Sequence, residues 1–155
     1  MTSDKEIIEI QKHVDTQLKN STEKFSYYII ALCVSCIGFT VYQTKEEIIN
    51  VTTSFVLIAV IFWFHSIYSG LSYIKHQQHG LFLSFTSYEN YRNVFIYSKN
   101  NVSRKKEISD NIEKELTRIS NASIKAYKYQ LNSFFIGVIF FFIWHVYQMY
   151  VNTFQ

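Results

Sequence analysis

Apolar positions along this chain gather into three long runs separated by polar stretches. The clearest is Gln130–Val151, QLNSFFIGVIFFFIWHVYQMYV, 22 residues without Lys, Arg, Asp or Glu. At ~1.5 Å rise per residue this makes about 33 Å of helix, enough to cross a hydrocarbon core of about 30 Å. Trp144, Tyr147 and Tyr150 gather at its far end, where amphipathic rings favour the headgroup layer. Phe25–Tyr42 and Val51–Ile74 are two further uncharged runs. The pattern predicts an all-α membrane protein with three transmembrane helices: a hairpin over 25–75, with spans 25–42 and 51–74, and a third span over 130–151. The remaining residues are too few for a sizeable separate soluble core.

The polar stretches keep a helical period. Ile7, Ile10, Val14 and Leu18 form one apolar stripe, and Ser3 with Glu6 has capping-box spacing, so 1–24 reads as an amphipathic helix. Asn20–Glu23 is either a break in it or a fresh cap. His13 reads as a solvated side chain. In 80–102, Leu81, Phe85, Tyr88, Arg92 and Phe95 fall at helical spacing, as an interfacial helix or a packed hairpin arm, and Asn100–Asn101 reads as a loop. Ser103 is placed to cap a helix running through Tyr129 into the third span, since the chain has no Pro and no Gly before Gly137 in this stretch. Ile108, Ile112, Leu116, Ile119, Ser123 and Ala126 make one face of it, a coiled-coil-like seam with a Ser inside. The segment 76–129 is therefore helical.

Charge orients the spans. Residues 1–24 carry four Lys or Arg, residues 75–129 carry ten, the 43–50 connection carries one and the 152–155 tail none. The positive-inside rule then puts 1–24 and 76–129 in the cytoplasm and the C-terminus outside. The start, MTSDKEIIEIQKHVD, is charged throughout and does not read as a signal peptide.

Candidate chemistry is sparse. Cys33-Val-Ser-Cys36 lies mid-span with no other Cys in the chain, so one subunit cannot complete a sulfur metal site, and the pair reads as packing. Ala31 and Ser35 permit a close helix approach. On the second span Ser54, Ile58, Ile61, His65, Ser69, Ser72, His76 and His79 share one face, polar throughout from His65 onward. Polar groups at membrane depth face water, a partner or a bundle interior. The stripe is thus a pore or gate lining, or a set of interhelical hydrogen bonds with Ser66 and Gly70 as a small-residue contact. Phe141, Trp144, His145 and Gln148 on the third span suit a hydrophobic gate, or face lipid. Lys114, Arg118, Asn121, Lys125 and Lys128 line one face of the long helix, with Arg104, Lys105 and Lys106 near its start. That face either fixes topology and touches anionic lipid, or binds an anionic ligand. No HExxH, Gly-x-Ser-x-Gly or Walker loop occurs. We therefore expect no enzyme, no cofactor and no bound metal. The partners expected are membrane lipids and, because both polar helices carry apolar stripes, further copies of the chain in a homo-oligomer.

In layout, three spans plus the basic helix 103–129, the chain resembles small membrane effectors of bacterial antiphage systems, such as the SLATT-type effectors and the channel subunit of Hailong systems. Its richness in Ile, Lys, Asn, Phe and Tyr is compatible with an AT-rich bacterial genome. The resemblance implies a pore or ion channel in the bacterial inner membrane that rests as a closed oligomer. A cytoplasmic signal, often a nucleotide or oligonucleotide made by a partner enzyme, opens it and the membrane depolarises. The alternative is a non-conducting scaffold or accessory subunit that recruits a cytoplasmic partner. The topology is checked with a reporter fused after Gln155: we expect it outside the cytosol, and a cytosolic signal would remove the three-span orientation.

Overall fold

The computed structural model describes residues 2–45, 53–97 and 102–154, and their side chains except those of 2–12, 15, 87–97, 102–109, 152 and 154. Three helices, α1 (Thr2–Thr44), α2 (Thr53–Tyr97) and α3 (Val102–Phe154), account for them, with no strand among the described residues. At ~1.5 Å per residue the helices measure about 65, 68 and 80 Å. Each contains a segment long and apolar enough to cross a membrane, within Thr16–Thr44, Thr53–Thr86 and Asp110–Val151. The polar stretches do not form elements of their own. α1 passes through Asn20–Glu23 without a break, because Thr22 spends its hydroxyl on the Leu18 carbonyl, 2.8 Å away, inside the helix. α2 continues past the second run, and α3 joins the basic helix to the third run without interruption. The expected loop at Asn100–Asn101 lies outside the described residues.

The chain forms two compact units. The first, Met1–Gly70 with Gln130–Gln155, contains α1, the start of α2 and the end of α3. Its core is Ile29, Cys33, Ala59 and Trp63, flanked by Cys36, Ile37, Phe140 and Phe141. Residue pairs give the directions. Ile30 meets Gly70, Ser26 meets Gln130, Phe39 meets Phe141 and His65 meets Ser133. The α1 and α3 segments therefore run parallel, and α2 runs against α3.

Gln130 is fully buried where the three helices meet. Ser26 Oγ donates to its Oε1 at 2.7 Å, its Nε2 donates to the Ser26 carbonyl at 3.0 Å, and Ser66 Oγ donates to its carbonyl at 2.8 Å. Gly70 makes room for this amide: a Cβ there would stand 2.5 Å from Gln130 Nε2. Gly137 does the same for Trp63, with a Cβ 2.6 Å from the indole nitrogen and 3.1 Å from the Ala59 carbonyl. Small residues at helix contacts admit the close packing that drives association in lipid. Ala31 and Ser35, expected to serve this purpose, are exposed, and the Ser35 hydroxyl bonds the Ala31 carbonyl in its own helix at 2.9 Å.

The second unit, Leu71–Tyr129, is an antiparallel pairing of α2 with α3. Tyr73 packs on Tyr127 at 5.5 Å between centroids, Gln77 Nε2 donates to Ser123 Oγ at 3.0 Å, and Gly80 lies against Ile119. Ile119 and Ser123 are buried, so this part of the predicted seam is covered by the chain's own second helix rather than by another copy. The stripe of α1 is different: of its described side chains, Val14 is 47% and Leu18 61% exposed.

Replacing Gln130 with Ala removes two hydrogen bonds and leaves a void, and is expected to destabilise the fold by about 1–3 kcal/mol. Gly137→Val is expected to do the same or worse, by driving a methyl into Trp63. Gly38→Ala, where a Cβ meets nothing within 4 Å, is expected to stay within about 0.5 kcal/mol of the parent. Loss of helical ellipticity on titrating dodecyl sulfate into mild-detergent micelles measures all three.

Candidate functional site

Within the first unit the polar residues of the apolar runs separate into two groups. The inner group is Ser26, Thr40, Ser66, Ser69, Gln130 and Ser133, all buried. The outer group is His65 and His145, both exposed. His65 Nδ1 shares a hydrogen bond with Ser133 Oγ at 2.8 Å, while the ring itself faces outward. The His145 ring stacks on Phe141, with centroids 6.3 Å apart and planes 10° off parallel.

The four candidates on the third span are thus divided. Trp144 is 3% exposed and packs on Phe141, whose ring also meets Phe39 and Trp63. Both rings are engaged in the interior of one chain. The Trp144 and Trp63 indole nitrogens are buried there without a hydrogen-bond partner. Gln148 is half-buried and His145 exposed. On α2, the face from His65 to His79 does not stay together in use. His65 meets Ser133, Ser69 is buried, and Ser72 and His76 are half-buried. Cys33 and Cys36 are both free thiols.

In the second unit the basic face of α3 is exposed at Lys114, Arg118, Lys125 and Lys128. Lys125 Nζ lies 5.8 Å from the Tyr129 ring centroid, and Arg118 Nη2 is 2.7 Å from Glu115 Oε1. The side chains of Arg104, Lys105 and Lys106 lie outside those described. Arg118 also belongs to a cavity of about 750 Å³ lined by Lys75, His76, Gln78, His79, Phe82, Arg118, Ile119 and Ala122. The α2 contributors fall at i, i+1, i+3, i+4 and i+7 from Lys75, and the α3 contributors at i, i+1 and i+4 from Arg118, so each set lies on one face of its helix. Two cationic side chains and two imidazoles stand around a patch made by Phe82, Ile119 and Ala122. Chemically this arrangement fits an anion attached to an apolar body.

Sequence reasoning placed Arg118 on the basic face and His76 and His79 on the polar stripe, but did not bring them together, and it used Lys75 only for topology. The signal was there in part: Lys75, His79 and Phe82 share a helical face directly after the second apolar run. Gln130, the hub of the first unit, was passed over because it stands at the edge of an apolar run. No protein-family model, curated protein or solved structure matches this chain.

Proposed function

We propose that this chain assembles into a homo-oligomeric pore in a bacterial cell membrane, closed at rest, whose opening by a cytoplasmic signal depolarises the cell as a defence response. The observation that carries the reading is the placement of His65 and His145, which belong to apolar runs and are nonetheless exposed on the outside of the packed helices. Ionisable side chains at membrane depth are unfavourable against lipid and are accommodated by a partner or a water-filled path. A closed ring of subunits supplies both. Phe141 and Trp144 then act from behind the path, holding the His145 ring in place, Phe141 by stacking and Trp144 by a tilted ring contact. The basic positions Lys114, Arg118, Lys125 and Lys128 are the receiving surface for an anionic signal, together with Arg104, Lys105 and Lys106. The defence setting rests on the resemblance in layout to the SLATT-type and Hailong effectors.

A second reading, a non-conducting scaffold that recruits a cytoplasmic partner, is favoured by a specific observation. The inner polar group of the spans, Ser26, Ser66 and Gln130, is hydrogen-bonded within one chain, as a structural bundle requires and a pore does not.

Planar-bilayer recording separates the two. The pore reading expects reproducible conductance that falls about tenfold or more in a His65→Leu, His145→Leu double variant, taking loss of two polar pore groups as at least 1.4 kcal/mol on the conduction barrier. Silence from intact oligomers favours the scaffold. In cells, Lys114→Glu is expected to abolish depolarisation while leaving the oligomer; a normal response would remove the basic face as the receiving surface.

A further inference from the structure

We propose that the cavity between α2 and α3 in the Leu71–Tyr129 unit binds an organic phosphate, a phosphate ester carried on an apolar body. It is lined by Lys75, His76, Gln78 and His79 from one helix and Arg118 from the other, and the apolar part of its lining, its floor, is exposed Phe82, buried Ile119 and half-buried Ala122. A volume of about 750 Å³ lies in the range that small-molecule sites occupy. Lys and Arg supply charge-assisted donors to phosphate oxygens, Arg in a planar fork and Lys as a point charge, and the imidazoles add N–H donors. The apolar floor gives the remainder of the ligand somewhere to lie, which inorganic phosphate alone would leave unused.

Among the described residues, the carboxylate paired with these cations is Glu115, which meets Arg118 at 2.7 Å. That pair is solvent-exposed, the Arg118 side chain at 78%, so it is weak and readily exchanged for a phosphate. Gly80 fits the same purpose: a Cβ there would crowd Ile119 at 3.3 Å, so its absence lets α2 lie close to the floor. Lys75 directly follows the uncharged run Val51–Ile74. The phosphate therefore has two possible sources, the headgroup of an anionic lipid or a soluble phosphate ester, and both present the same chemistry to these residues.

The proposal rests on the preceding reading for the placement of residues 75–129 on the cytoplasmic side and shares Arg118 with its receiving surface, but not the pore. A chain that binds but never conducts keeps this site and loses the pore. A chain that conducts without binding does the reverse.

The test uses the full chain in phosphatidylcholine nanodiscs, with two probes. ATP is titrated by calorimetry as the soluble phosphate ester, and phosphatidic acid is doped into the discs and its retention read by native mass spectrometry. ATP binding assigns the soluble source and phosphatidic acid retention the lipid source; binding of neither overturns the site. For whichever probe binds, a Lys75→Gln, Arg118→Gln double variant is expected to weaken it about tenfold or more, since it removes both charge-assisted donors to the phosphate oxygens. Ala122→Phe, which fills the floor without changing charge, is expected to weaken it comparably, with helical ellipticity retained. Lys24→Gln, an exposed cation on α1 outside the cavity, is expected to stay within about twofold. Equal losses from Lys24→Gln and the double variant, or unchanged binding in a folded Ala122→Phe protein, would show attraction to a diffuse charge and overturn the proposal.

Discussion

The first unit depends on one buried amide. Gln130 opens the third apolar run, is fully shielded, and is reached by α1 through Ser26 and by α2 through Ser66. Individual hydrogen bonds between helices in lipid contribute only about 1 kcal/mol. An amide left without partners in an apolar surrounding is unfavourable by several times that. The constraint is therefore one of register more than of raw stability. A slide of α1 along α3 by one turn would leave the Gln130 amide unsatisfied, and a slide of α2 would drive it into whatever replaced Gly70. Apolar contacts such as Phe62 with Phe140 tolerate such slides far better, since one ring face serves much like another.

The same device sets the second unit. Ser123 interrupts an otherwise apolar face of α3, and Gln77 answers it from α2. With Tyr73 on Tyr127 and Gly80 on Ile119, the register of the antiparallel pair is fixed at three successive turns. That register brings His79 to the level of Ala122 and Phe82 to that of Arg118, with Lys75 about two turns from Arg118 along the helices, and so creates the cavity. A polar residue in an apolar seam commonly exchanges some stability for specificity of pairing. Here the pairing it selects is between two helices of one chain, which covers a stripe that would otherwise call for a second copy. What stays exposed is Val14 and Leu18 on α1 and the imidazoles of His65 and His145.

How much was legible beforehand follows from what each signal measures. Helical period and the lack of Pro show which residues share a face, so the continuous α3 and the face containing Ile119, Ser123 and Ala126 were readable. The small-residue contact at Ser66 and Gly70 was readable as one of two alternatives. The cavity was not, because its residues come from stretches about 40 positions apart whose pairing no period records. Within the chain the close helix approach falls not at Ala31 and Ser35, which stay exposed, but where Gly70 and Gly137 receive Gln130 and Trp63: a small side chain permits close approach and does not attract it.

By itself the sequence determined that this is an all-helical chain with three segments long and apolar enough to span a membrane, and with its cations gathered in the polar stretches that flank them. Those properties are sums over neighbouring residues, and a sum needs no knowledge of what packs where. The tertiary structure decided which polar residues face inward, that Trp144 belongs to the interior, and that Arg118 lines one cavity with Lys75, His76 and His79. These outcomes turn on bonds between residues 46, 68 and 104 positions apart. Each such bond depends on the sub-ångström fit of one side chain into the space that a particular glycine or serine leaves on another helix.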